Sequence, residues 1–215
     1  MESSEARIRV WVEKTFIHIM KTVACCIPCN WDYIPIPFFA SFIRMMIHGQ
    51  GRYNVLAYIA RSSSVNHMRT EATTRALEDG EVDYILHLDV DEIYPPDTIS
   101  RLMQHIDDGK EVVGGLYCSR INPVNSAFEF IENGDLRALP VRANTGMQKV
   151  DSMGMGGMMT DVKVFDKIRK PWFFGNPMHC EDVAFCKQCK DAGIQVWVDT
   201  DLQFGHLVLE AKQPL

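Results

Sequence analysis

Four short apolar runs, separated by helix-like stretches, constrain this chain more than any other feature. "TVACCIP" from Thr22, "NVLAYIA" from Asn54, "DYILHLD" from Asp83 and "EVVGGLYC" from Glu111 are bounded by Gly, Pro or polar residues. Near-continuous apolarity over so few residues suits a strand buried on both faces. Between them lie "PFFASFIRMMIHG", "SSSVNHMRTEATTRALEDG" and "PPDTISRLMQHIDDG". The first reads as a helix closed by Gly49. The second has a serine cap, Glu71 early and Gly80 at its end. The third puts Ile99, Leu102, Met103 and Ile106 on one face behind two prolines. Strand and helix alternating at this spacing predict an α/β domain with a mostly parallel central sheet flanked by helices.

The second half changes character. "FEFIENGDLRAL" reads as a β-hairpin around Asn133-Gly134. "KVDSMGMGGMMTDVKVF" is a strand-like entry into a glycine cluster. "KPWFFGNPMHCEDVAFCKQCKDAG" is a loop running into a helix, and "IQVWVDTDLQFGHL" closes with a short strand pair. No repeat or low-complexity linker appears. A chain of 215 residues, 47% hydrophobic, buries one good core, so a single domain is expected. Met20 reads as a natural opening. Residues 1–19 are expected to be an extension outside the fold, with the domain running from 20 to 215.

Composition narrows the function. A net charge of −6 argues against a nucleic-acid surface. It is compatible with an anionic ligand where a bound dication supplies the positive charge. "MESSEARIRVWVEK" is charged throughout and carries no secretory pattern. "YIPIPFFASFIRMMI" is broken by Pro35, Pro37 and Arg44 and is too short to span a bilayer. Seven cysteines, an odd number, suit free thiols in a reducing, cytoplasmic setting. Cys26/Cys29 and Cys186/Cys189 have metal-like spacing. The latter pair instead shares a helical face with Phe185, which reads as packing.

The chemistry concentrates in "HLDVDEIYPP", residues 87–96. Asp89 and Asp91 are two apart, so on an extended chain they point the same way. At the carboxyl end of a strand in an α/β sheet they face the ligand crevice. Two such oxygens suit a hard cation bridging a diphosphate; the same pair also reads as one turn-capping and one solvated aspartate. His87 reads as a partner behind the ligands or as a satisfied core histidine. Arg69, with Ser62, Ser63 and Ser64, stands near a helix N-terminus that could hold phosphate oxygens, or is a solvated surface arginine. Gly154, Gly156 and Gly157 allow backbone to approach a ligand closely. They do not match a dinucleotide fingerprint. Glu181 and Asp182 open a helix, where acids are routinely favourable. His206 stands just past a late strand.

In order and wording, "VACCIPCN", "SVNHMRTEATTRAL", "YILHLDVDEIYPPDTISRLM", "VDSMGMGGMMTDVKVFDKI", "PWF" and "EDVAFCKQCKDAGIQVWVDTDLQFGHL" resemble the GT-A family of nucleotide-sugar glycosyltransferases. The resemblance runs from about Met20 to Leu207. It implies transfer of a sugar from a nucleoside-diphosphate donor, UDP-linked, to a glycan, protein or lipid-linked acceptor, with Mn2+ or Mg2+ as cofactor. It implies Asp89 and Asp91 as the D-x-D acids, Asp91 on the metal and Asp89 on ribose or metal. His206 would be a late metal or diphosphate contact. Asp182 would be the catalytic base of an inverting enzyme, with Glu181 beside it. Pro28 and Cys29 would lie near the nucleoside, Arg69 near the diphosphate, and Gly154, Gly156 and Trp172 near the donor sugar or acceptor. The chain departs from its relatives at Thr70, where many have Asn, and at His87, where many have a small apolar residue. Such domains also occur as one module of a larger protein. Two rivals remain. A haloacid-dehalogenase-like phosphatase would use Asp89 as nucleophile, but that fold usually begins with its D-x-D strand. A non-catalytic sugar-nucleotide-binding module would bind donor without turnover.

Overall fold

The computed structural model describes residues 20–207 apart from Trp31, 118–126, 132–134 and 176–178. The expected extension over 1–19 therefore lies outside the described residues, as do 208–215. Four elements open the fold as the alternation predicts: β1 (Thr22–Pro28), α1 (Ile36–Gly49), β2 (Asn54–Ala60) and α2 (Val65–Glu78). Then come β3 (Tyr84–His87), β4 (Glu92–Ile93), α3 (Thr98–Asp107) and β5 (Val112–Leu116). The later elements are β6 (Ala127–Phe130), β7 (Leu136–Ala138), β8 (Met147–Val150), β9 (Ser152–Met153), β10 (Met158–Asp161) and α4 (Val164–Lys167). α5 (Glu181–Asp191), β11 (Val196–Gln203) and β12 (Gly205–His206) complete them.

Seven strands form the central sheet in the order β2-β1-β3-β10-β5-β11-β8. β1 pairs in parallel with β2 and β3, and β5 with β11. β10 runs antiparallel between β3 and β5, and β8 antiparallel on β11. The sheet is thus mixed but mostly parallel in its first half. β1 is buried at every position, and its alternate residues serve opposite layers. Val23, Cys25 and Ile27 meet Phe38, Phe42 and Met45 of α1 and Leu102 and Met103 of α3. Ala24 and Cys26 share the other core with Met68, Ala72 and Ala76 of α2 and Phe185, Cys186 and Cys189 of α5. Each large apolar side chain so buried contributes about 1.5–3 kcal/mol. Cys186 and Cys189 are fully buried packing residues, and burial pushes the Cys186 thiol up to about 12.

Two local expectations need correction, and the hairpin is found and extended. Ser64 is the N-cap of α2 in extended conformation, but its side chain makes no capping hydrogen bond. The predicted hairpin is present as β6 and β7, with Phe130 opposite Leu136, and β9 joins it as a third strand. Its Asn133-Gly134 turn lies outside the described residues. "IQVWVDTDLQFGHL" is not a strand pair. β11 is one long strand of the main sheet, and β12 pairs with β4 across the fold, Gly205 opposite Ile93 and His206 opposite Glu92. Local patterning could not reveal that partner, because it lies more than a hundred residues upstream.

Candidate functional site

The carboxyl ends of β1 and β3 lie side by side. The amide of Leu88 donates to the Cys26 carbonyl at 3.1 Å, extending the parallel register one step past β3. The strand then stops. Val90 and Asp91 form a turn, closed by the Glu92 amide donating to the Asp89 carbonyl at 3.2 Å. Period-two alignment of Asp89 and Asp91 therefore does not hold, because the backbone is not extended between them. Tyr94 supports the turn from below. Its hydroxyl accepts from the Asp89 amide at 2.8 Å, and Tyr94 is 2% exposed.

The two aspartates have different neighbours. Asp89 Oδ1 accepts from Arg69 Nη2 at 2.9 Å. Arg69 Nε donates to Glu181 Oε1 at 3.2 Å. Arg69 is 3% exposed, so it is neither a solvated arginine nor one open toward the solvent. Burial opposes its charge, but Asp89 and Glu181 more than compensate and hold its pKa above the ordinary value. Its Nη1 is buried with no hydrogen-bond partner among the described residues. One guanidinium from α2 thus joins the turn after β3 to the first residue of α5.

Asp91 lies instead opposite His206, Oδ2 to Nε2 3.6 Å, with side chains 20% and 18% exposed. The β4–β12 pairing creates this meeting, and the Leu207 amide donates to the Asp91 carbonyl at 2.7 Å. Tyr117, just past β5, stands edge-on to His206 at 6.0 Å. Among the described residues no three His, Cys, Asp or Glu side chains are gathered tightly enough to form a metal cage. The Asp91–His206 separation nevertheless fits two ligands of one octahedral dication, whose adjacent ligands stand roughly 3 Å apart.

Glu181 and Asp182 diverge, as adjacent residues at a helix start must. Glu181 is 8% exposed and turned to Arg69, whereas Asp182 is half-buried. Asp182 Oδ1 accepts from the Val183 amide and from the Cys180 thiol, both at 2.7 Å. Burial and the nearby Asp182 push that thiol up to about 12, so it remains a donor.

The remaining candidates separate. Pro28 and Cys29 are buried at the end of β1, on the edge that carries Asp89, and the Cys29 amide donates to the Ala60 carbonyl at 3.0 Å. Gly154 and Gly156 are buried, and their close approaches are to protein. A Cβ on Gly154 would stand 1.6 Å from the Tyr117 hydroxyl, and one on Gly156 2.5 Å from Glu92 Oε1. They floor the site rather than line it. Trp172 is not brought to the site. It is 4% exposed, donates from Nε1 to the Phe165 carbonyl at 3.3 Å, and faces a cavity of about 370 Å³ beside Thr74 and Leu77, toward the C-terminal end of α2. His87 is a satisfied core histidine at one nitrogen, 3.1 Å from Thr73 Oγ1. Burial, then the Arg69 charge, holds its pKa well below the usual range.

Glu92, Tyr94 and Tyr117 escaped the sequence-based reading. Glu92 is 1% exposed, and burial, with the Asp89 charge, holds its carboxyl well above the carboxylate range. The available signals were the third acid of "DVDE" and a tyrosine at a strand's carboxyl end.

No protein-family model and no curated protein sequence matches the chain. Solved structures share its fold. A197 from STIV gives a TM-score of 0.59 at 17% identity, over 91% of this chain and 98% of that one. GalNAc-T7, solved with UDP, GalNAc and Mn2+, gives 0.57 at 10% identity, over 89% of this chain and 44% of that one. S. aureus TarS 1-349, in complex with UDP-GlcNAc, gives 0.49 at 12% identity, over 91% and 60%. At these identities the likeness is one of fold, and the fold is GT-A-like α/β.

Proposed function

We propose that this chain is a metal-dependent glycosyltransferase that moves a sugar from a nucleoside-diphosphate donor, UDP-linked, to an acceptor hydroxyl on a glycan, protein or lipid. One observation supports this above the rest. A GT-A-like fold carries Asp89, Asp91, Asp182 and His206 on elements that meet at one edge of the sheet, and a structure of the same fold, GalNAc-T7, holds UDP, GalNAc and Mn2+. Asp91 and His206 would hold Mn2+ or Mg2+. The bound ion would supply charge neutralisation on the leaving diphosphate.

The rest belongs to the chain's own residues. Arg69 holds Asp89 and Glu181, which leaves Asp182 as the acid at the solvent boundary. Asp182 would accept the acceptor's proton as it attacks the anomeric carbon, the task of a general base within hydrogen-bond reach. The Val183 amide and the Cys180 thiol fix its Oδ1, leaving the other oxygen to point at the acceptor. Pro28 and Cys29 would border the nucleoside. Trp172, packed on Phe165 beside Thr74 and Leu77, would take no part in holding the acceptor. The phosphatase alternative gains no support, since Asp89 would have to leave Arg69 to act as nucleophile.

Thermal melting with a panel of nucleotide sugars, with and without Mn2+, tests the proposal. One UDP-sugar should raise the melting temperature only with metal, because ligands that bind the folded state stabilise it by mass action. Asp91→Asn should remove that shift. Transfer at full rate in excess EDTA refutes the metal role. Donor binding without turnover on any acceptor identifies a binding module instead.

A further inference from the structure

α1 buries Phe38, Phe42 and Met45, yet its opposite face is also apolar. Ile36 is 82% exposed, Phe39 53%, Ile43 39% and Ile47 64%. At 100° per residue these four fall within about 80° of arc and run about 16 Å along the helix. Ile59 of β2, the edge strand of the sheet, is 46% exposed and pairs in register with Ile27, which packs under α1. Contiguous exposed apolar surface of this kind marks an interaction site.

Charge identifies the partner. From Tyr33 to Ala60, the stretch that builds α1 and β2, the chain holds Arg44, Arg52 and His48 and no Asp or Glu, while Arg61 just beyond it is paired with Asp32. Asp and Glu make up 28 of 215 residues, so a stretch of this length would carry about four. Arg44 is exposed and borders the stripe on one side. An apolar stripe edged by Arg44, with Arg52 just past the helix and no acid on either element, complements an anionic lipid surface. It is not self-complementary, since two copies would oppose cation to cation. Among the described residues no helix is long and apolar enough to cross a membrane, so the contact is with the surface.

We propose that the outer face of α1, with the adjoining β2 edge, docks on an anionic bilayer surface. The stripe starts at the site. Phe38, on the inner side of α1, stands edge-on to Tyr94 at 6.1 Å, and Tyr94 holds the Asp89 turn. Docking there would set the sheet's carboxyl edge beside the headgroups, where a lipid-linked acceptor would be presented. The docking itself needs no sugar transfer, so its test is separate from that of the enzymatic proposal.

Flotation of the full chain with phosphatidylcholine vesicles, with and without phosphatidylserine, tests it. The chain should float with phosphatidylserine vesicles at low salt and be released as salt rises. Phe39→Ser and Ile47→Ser, both at exposed positions, should each weaken partitioning by about threefold to tenfold. Arg44→Gln with Arg52→Gln should abolish the preference for phosphatidylserine, with melting temperature unchanged. No flotation at low salt overturns the proposal, as does flotation unaltered by the serine variants. A dimer in sedimentation velocity that Ile43→Ser dissolves, without flotation, assigns the face to a second copy. Flotation gained only when residues 1–19 are removed assigns it to that segment.

Discussion

Two halves of one acidic site are built in opposite ways. On the α2–α5 side, Asp89 and Glu181 share the guanidinium of Arg69, which is 3% exposed; the Glu181 side chain is 11% exposed and that of Asp89 25%. On the β4–β12 side, Asp91 and His206 meet at 3.6 Å with about a fifth of each side chain open to solvent. A buried charge without its partner is costly, so the first half is fixed before any ligand arrives. Solvation does not separate Asp91 from Asp89; partner and distance do, and an acid–histidine pair at 3.6 Å without a buried guanidinium can exchange its contact for a cation. The contrast teaches that of acids close in sequence, 89 and 91 or 181 and 182, one is held by Arg69 and the other is not.

The sharpest way to break the comparison is Arg69→Met. It strands the buried carboxylate of Glu181 and unpairs Asp89, whose side chain is 25% exposed, and should cost about 3 kcal/mol in urea unfolding. Adding Asp89→Asn and Glu181→Gln should recover part of that loss. A cost below about 1 kcal/mol would show that the clamp is no scaffold.

Next in size is Asp182→Asn, which should slow transfer about 10²-fold, or roughly 2.7 kcal/mol in the barrier, with donor and metal binding retained. Glu181→Gln should act mainly on stability. If instead Glu181→Gln stops transfer in a stably folded protein and Asp182→Asn does not, the two roles are reversed.

Asp199 sharpens the comparison from outside the site. It is 2% exposed and accepts from Arg101 at 2.9 Å and lies 3.0 Å from His105. Burial pushes its carboxyl up, but the His105 hydrogen bond, the Asp201 amide and Arg101 outweigh it and the pKa is lowered. A lowered folded value means stability that is present above the unfolded value of about 3.9 and lost as pH falls through the folded one. Asp199→Asn should cost about 2 kcal/mol at neutral pH. The gap to wild type should close progressively on acidification below about pH 4. A gap that does not change with pH would place the effect in packing.

The smallest stability effect is expected at Asp91. Asp91→Asn should change unfolding free energy by no more than about 0.5 kcal/mol, while Mn2+-dependent stabilisation by the donor disappears. A large stability loss would make Asp91 scaffold as well and erase the contrast.

The candidate residues could be named from sequence because each belongs to a short local pattern. "DVDE" after an apolar run, "ED" at a helix start and "GH" near the end of the chain are short patterns. The partners were not legible. Arg69 meets Asp89 across 20 residues and Glu181 across 112, and no periodicity reports such distances. The core placement of Trp172 was not legible for the same reason, since an aromatic beside Pro reads alike in a cleft or in a core.

By itself the sequence determined the strand–helix alternation, the burial of β1 on both faces and the placement of the acids at strand and helix ends. These follow from side-chain period and backbone preference within a few residues. Only the tertiary structure decided which acid is clamped, which is left at the solvent boundary, and which histidine reaches Asp91. Those outcomes depend on β12 crossing to β4 and on α2 packing beside α5. Burial then sets the cost of every unpaired charge, and burial is a property of the assembled chain.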